Sequence, residues 1–370
     1  MSDRRSHYDC RMLAGRVHAL YLFEVGDAID VRRIPTLVQA TTAAPLALKP
    51  ASPPYLQYQQ PPVVIDGAAL GAAAGEHPVR FTAYDYGIIS VSVTAPLPDS
   101  WDDIIALGQR WQDNPRILAE AERCCRELLR RITPAVDMPR ASFLWDDYVI
   151  FVITPQSSAD TAEVLLSSRG AALAQLLRGE REPLSPQERD EVLRHRISYY
   201  ATDMVIATWS SALVYDTEAG AQSSVDILEY ANTQLLQFRY YDRLLDGELA
   251  GIYGQLQKGG WRQNWSGRRY TRAARHVHSL FIDVNELTDR AENALKIAGD
   301  VYVARLFAMT AARIGLEQWR GNVREKLKTL DDIYRFAVEH AAMTRGELLE
   351  LIVVILILLE LILLVVTGLR

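Results

Sequence analysis

Residues 17–25 (VHALYLFEV) form an apolar and aromatic run, and Ile29, Val31 and Ile34 then lead to Pro35, the pattern of a strand followed by a short helix or turn. Two β-rich runs at 79–84 and 88–94 flank Asp85, Tyr86 and Gly87, where glycine supplies the positive φ of a tight reversal. A hairpin is predicted there. Residues 143–154 (FLWDDYVIFVIT) are too β-branched and aromatic for a helix and read as a central strand. Residues 204–209 and 213–215 read as two more strands joined by Ser210 and Ser211.

Between these runs the period becomes helical. Asp99 or Ser100 caps a helix over 101–111, and Pro115 opens another that ends before Pro134. On that second helix Leu118, Ala121, Cys125, Leu128 and Ile132 share a face, which makes Cys125 a core thiol. Residues 161–177 form a helix, and Ser185, Pro186 and Glu188 make a capping box that opens a shorter one. Strands and helices mixed without a regular βαβ alternation predict an α+β domain over residues 1–217.

Beyond Gly220 the pattern is helical throughout. Leu228, Ala231, Leu235, Phe238, Leu245, Leu249 and Ile252 recur at steps of three and four, predicting a long amphipathic helix with Asp242 intruding in its stripe. Val277, Leu280, Val284, Leu287, Ala291, Ala294, Ala298 and Val301 continue as a heptad-like series, and Leu316, Val323, Leu330 and Ala337 follow at intervals of seven. Residues 218–346 therefore read as long antiparallel or coiled-coil-like helices.

The last run, 348–366 (LLELIVVILILLELILLVV), is apolar except for Glu350 and Glu360. A helix of roughly 19 to 22 residues reaches across a bilayer core. Leu, Ile and Val contribute roughly −0.3 to −0.6 kcal/mol each near the membrane centre, against roughly 3 kcal/mol for a central acid. The expectation is a single C-terminal transmembrane helix at 347–369, a tail anchor.

Composition changes this picture only at its edges. Prolines 45, 50, 53, 54, 61 and 62 mark 41–62 as an inserted extended loop. Cys10, Cys124 and Cys125 offer neither a disulfide framework nor zinc spacing, which suits a reducing compartment. A net charge of −6 argues against general polyanion binding. The first residues carry no signal-peptide core, which puts the soluble part on the cytoplasmic face of a bacterial inner membrane.

Two places carry candidate chemistry. Glu360, like Glu350 in the same run, is an acid among apolar residues; it hydrogen-bonds between packed helices and specifies an oligomer, lines a cation path, or is an exposed acid tolerated by local bilayer thinning. The segment 261–275 (WRQNWSGRRYTRAAR) interleaves Arg262, Arg268, Arg269, Arg272 and Arg275 with Trp261 and Trp265. Such a mixture binds phosphates and stacks on bases, rests on anionic lipid, or is a solvated helix start. Asp146 and Asp147 read as a turn or bulge, and Asp102 and Asp103 as a helix-start cap. The histidines are scattered, with no metal spacing, and there is no phosphate loop, dinucleotide fingerprint or nucleophile elbow.

The run from Glu325 through Glu360, with Glu325 to Leu327, Leu330, Asp331, Arg345, Leu348 to Glu350, Val353 to Leu356 and Glu360, resembles the C-terminus of the "required for meiotic nuclear division" family. Residues 19–34 and the stretch 84–89 (YDYGII) are similar to its opening strand and its hairpin. That resemblance implies a membrane-anchored protein that self-associates, and for mitochondrial members support of organelle translation.

The sequence thus predicts an α+β N-terminal domain, a helical stalk and one transmembrane helix. The expected function is that of a tail-anchored homo-oligomeric scaffold, not an obvious enzyme, with no cofactor or metal. A membrane-tethered binder of RNA or the translation machinery, and an enzyme with an unrecognised site in the α+β domain, are the alternatives.

Overall fold

A computed structural model describes residues 14–38, 44–45, 61–155, 157, 160–257, 279–282, 284–285, 301–333, 335 and 356–357. The predicted strands form where β-branched and aromatic residues cluster. β1 (Ala14–Glu24) lies between β7 (Ile88–Pro96) and β9 (Leu144–Thr154), antiparallel to both. β6 (His77–Tyr84) completes the hairpin with β7, and Gly87 at φ +83° makes its turn.

The short strands are β2 (Ala28–Ile29), β3 (Ala44–Pro45), β4 (Val63–Asp66), β5 (Ala73–Ala74), β8 (Val136–Asp137), β10 (Arg196–Ile197), β11 (Met204–Ala207) and β12 (Ser211–Tyr215). The main sheet runs β10-β11-β12-β9-β1-β7-β6-β4-β3, with β5 attached to β6 and β2 pairing β8 separately. Every pair in that order is antiparallel except β12 with β9. The α+β prediction is met by this mixed sheet and its helices.

Two of the helices start at caps expected from the sequence, Ser100 and Ser185. Ser100 Oγ accepts from Asp103 N at the start of α2 (Trp101–Trp111), after the short α1 (Ile34–Val38). Asn114 caps α3 (Pro115–Ile132), Thr161 caps α4 (Ala162–Arg178) and Ser185 caps α5 (Pro186–Arg194). These helices cover one face of the sheet. Val17, Ala19, Tyr21 and Phe23 of β1 join Phe81, Val91 and Phe151 and the inner faces of α2 to α4 in one apolar core. Each such side chain contributes about 1.5–3 kcal/mol by leaving water. Cys124 and Cys125 sit in this core, and complete burial pushes the Cys125 thiol far above its usual range.

The opposite face is of mixed polarity, because His18, Arg80, Ser90 and Ser92 alternate in space with Leu20 and Leu22. The first part of α6 (Glu218–Gln257), through Phe238, lies on it. Here the structure departs from the amphipathic expectation: every residue from 224 to 238 is buried, including Asp226, Glu229, Asn232, Thr233, Gln234 and Gln237. Three of these polar residues meet polar residues of the sheet and its hairpin turn, whereas the Gln234 amide and Gln237 Oε1 are buried without a hydrogen-bond partner among the described residues. Arg80 reaches Glu229 at 3.0 Å and Asp226 at 3.3 Å, and Tyr86 Oη lies 2.7 Å from Thr233 Oγ1.

The chain divides into two compact units, Met1–Tyr240 with Arg290–Trp319, and Tyr241–Asp289 with Arg320–Arg370. The first contains the sheet and α7 (Val301–Arg313), whose Phe307 ring stands 5.9 Å from that of Tyr230. In the second, Leu245, Ile252, Val323, Leu327 and Leu330 are buried, and Lys326 Nζ contacts Asp242 and Asp246 at 2.7 and 2.6 Å. Among the described residues no helix is long and apolar enough to cross a membrane. Of the expected span at 347–369 only Leu356 and Ile357 are described, both helical.

Candidate functional site

β9 pairs with β1 along its whole length, from Leu144 to Thr154, but with β12 only from Val149 to Ile153. Among the described residues, 144–148 therefore have no strand on their second edge. The sheet is notched there. A cavity of about 300 Å³ occupies the notch, reached by side chains from both helical layers.

The turn between β11 and β12 forms one rim and is tightly held. Thr208 Oγ1 donates to Ser211 O at 2.9 Å and accepts from Ser211 N at 3.0 Å, while the buried Tyr148 hydroxyl donates to Thr208 O at 3.1 Å and Ser211 O at 2.7 Å. This fixed turn presents Trp209, which is 68% exposed. The link between α2 and α3 forms another rim. Only Gln112, Asp113 and Asn114 separate the two helices, and the reversal puts Asp113 at φ +52°, a left-handed conformation that Asp tolerates better than most residues.

Five charged side chains line the cavity: Asp113, Asp146, Asp147, Arg178 and Arg239. Arg239, from α6, pairs with Asp146 and lies 5.8 Å from the ring centroid of Trp319, another lining residue. Arg178, from the end of α4, pairs with Glu188 at 2.5 Å. Asp146 Oδ1 also accepts from the backbone N–H of Asp147 at 3.2 Å. Asp147 is held differently. Burial, then the charges of Asp146 and Asp113, push its carboxyl up to about 6. Behind it, the Tyr21 hydroxyl is buried without a hydrogen-bond partner, and burial with the nearby Asp147 and Asp113 raises it above the ordinary phenol range.

The adjacent aspartates are thus neither in a turn nor at a bulge, as their sequence suggests, but in unbroken register at the start of a central strand. Asp102 and Asp103 do occupy the first turn of α2. The other sequence-based candidates, Glu350, Glu360, Trp261, Arg262, Trp265, Arg268, Arg269, Arg272 and Arg275, lie outside the described residues. Sequence reasoning missed Asp113, Asp147 and Trp209. The one available signal was a pair of acids inside an otherwise apolar strand. Among the described residues no group of three or more His, Cys, Asp or Glu is arranged to hold a metal ion.

The family described as the N-terminal domain of the uncharacterized protein MJ0711 matches residues 14–222, more than half of the 370. The chain belongs to the MJ0711 N-terminal domain family. This overturns the resemblance to the "required for meiotic nuclear division" family, which rested on the last 45 or so residues and two short N-terminal patches; the match instead runs continuously through the sheet. The uncharacterized protein MJ0711 of Methanocaldococcus jannaschii is 27% identical over 221 residues, covering 59% of this chain and 65% of that relative, slightly under two thirds of its length. No solved structure matches. The MJ0711 N-terminal domain match takes in Asp113, Asp146, Asp147, Arg178 and Trp209, whereas Asn232, Arg239 and Trp319 lie beyond it.

Proposed function

We propose that the α+β unit binds a small polar molecule in the notch of its sheet. The observation that carries this reading is the cavity itself, where charged groups from β9, α4, α6 and the α2–α3 link converge beside an indole on a pinned turn. Binding sites are concave, largely preformed and supplied with a few convergent polar groups of perturbed acidity. Asp147, at about 6, gives the cleft a group that exchanges a proton near neutral pH, which would also serve acid–base chemistry on a bound molecule.

Native mass spectrometry of the full chain, combined with thermal melting against a small-molecule panel, tests this. A retained or stabilising molecule is expected, and its effect should vanish in the double variant Trp209→Ala, Asp147→Leu. Equal stabilisation of the double variant would place the site elsewhere.

A second reading rests on the composition of residues 348–366, seventeen Leu, Ile and Val with two Glu. On that reading the run tethers the chain to a bilayer and the tethered copies associate as a scaffold. The two readings are compatible: a membrane-held protein would present the cleft of its α+β unit to a soluble ligand.

A further inference from the structure

We infer that the molecule bound in the notch is an organic cation, an ammonium or guanidinium compound recognised by the carboxylates of Asp147 and Asp113, the indole of Trp209 and the side-chain carbonyl of Asn232. The inference rests on the cleft being a binding site and specifies its chemistry.

The charges lining the cavity do not cancel. Arg239 is taken by Asp146 and Arg178 by Glu188, so both guanidinium groups have carboxylate partners. Asp147 and Asp113 have no cationic partner among the described residues. An anionic ligand would meet two carboxylates whose charge nothing offsets, in surroundings where such repulsion is stronger than in water.

Asn232 supplies an independent indication. It is 4% exposed and lines the cavity, its Nδ2 donates to Leu228 O at 2.8 Å, and its Oδ1 accepts no hydrogen bond among the described residues. A carbonyl left open on a cavity wall takes a donor from outside. Arg178 Nε is also buried without a hydrogen-bond partner among the described residues, so the cleft holds one open donor beside this acceptor. The two carboxylates without a cationic partner set the sign and call for a ligand that carries N–H groups. Trp209 adds a large exposed π-face on a turn held by the Tyr148 hydroxyl, the Thr208 hydroxyl and the Ser211 N–H, and indole is the best side chain for attracting a cation. A metal ion fits less well, since no ligand set of three or more His, Cys, Asp or Glu converges among the described residues.

Titration calorimetry on the full chain at pH 7.5 and low salt decides the matter with three cationic probes, butylammonium, butylguanidinium and 1,4-diaminobutane, and two controls of similar size, butyrate and 1-butanol. The cations are expected to bind and the controls not. Asp147→Asn should weaken binding of the tightest cation by about tenfold or more, the loss expected when one close charge pair is removed. Trp209→Ala should weaken it several-fold, and Asp226→Asn, in the separate cluster between sheet and α6, should leave it unchanged. Affinity should also fall between pH 7.5 and 5, with Asp113, Asp146, Arg178 and Arg239 as the other charged groups facing Asp147 across the cavity, and this pH dependence should disappear in Asp147→Asn.

Binding of butyrate or butanol that is lost in the Trp209 and Asp147 variants would overturn the cation assignment while leaving the cleft as the binding site. Failure of every cation to bind, or cation binding indifferent to both variants, would overturn the assignment outright; the mass-spectrometric test of the cleft stands or falls separately.

Discussion

Asp147 is a carboxyl whose folded environment opposes its charge, and that opposition has a thermodynamic sign. Its ordinary value is 3.8 and its folded value about 6, so the native state holds the proton more tightly than the unfolded chain. Stability from this group is therefore greatest at low pH and declines as pH rises from about 4 to about 6. Asp147→Asn keeps the shape and removes the charge. With its partial solvent contact discounting the full shift, the variant should be more stable than the parent by on the order of 1 kcal/mol above pH 6 and equal to it below about 4. Urea unfolding at pH 7.5 and at pH 4 measures both arms, and a variant less stable at pH 7.5 would contradict the assignment.

The pair Asp226 and Glu229 behaves oppositely under mutation, because Arg80 is their shared cation. Burial holds Asp226 up at about 6 even with the guanidinium beside it. Arg80→Met would leave two carboxyls buried without that partner and should cost about 3–5 kcal/mol at pH 7.5. The loss should shrink at pH 5, where Asp226 takes up a proton, and the shift in urea midpoint between the two pH values reads it directly.

At the level of elements, much of the fold is legible where the deciding interaction is local. The predicted caps at Ser100 and Ser185 each accept the expected backbone N–H. The 101–111 prediction coincides with α2, and the hairpin turns at Gly87. That glycine is required twice over. Its φ is +83°, and a Cβ there would fall 1.9 Å from the carbonyl oxygen of Gly26. Gly87→Ala should cost more than about 2 kcal/mol, combining left-handed strain with displacement of the backbone at residue 26. Asn114→Ala, which removes a cap accepting from both Arg116 N and Ile117 N, should cost only about 1 kcal/mol. Chemical denaturation of the two variants side by side tests that ranking.

The notch was not legible, for a physical reason. It exists because β12 pairs with only part of β9, a non-local register, and its walls come from residues as far apart in sequence as Asp113 and Trp319. The amphipathic reading of α6 failed similarly over residues 224–238. The stripe of Leu228, Ala231 and Leu235 is real, but periodicity does not reveal that the polar residues between them face a sheet that is itself partly polar.

For the whole molecule, the MJ0711 N-terminal domain accounts for residues 14–222, and the apolar run at 348–366 lies well outside it. The tether reading makes two demands on that run, and they are separable. Partitioning depends on the sum over its seventeen Leu, Ile and Val, at roughly −0.3 to −0.6 kcal/mol each, which outweighs a central acid at roughly 3 kcal/mol. The full chain should therefore stay with the membrane pellet after alkaline extraction, a chain ending at residue 346 should not, and Glu360→Leu should remain in the pellet. Association depends instead on what the carboxyl of Glu360 does. If it hydrogen-bonds between copies, Glu360→Leu should lower the oligomeric mass measured in detergent while Glu360→Gln, which still donates and accepts, preserves it. Loss of pelleting in Glu360→Leu would contradict the partitioning account, and an unchanged mass in both variants would remove Glu360 from the assembly while leaving the tether in place.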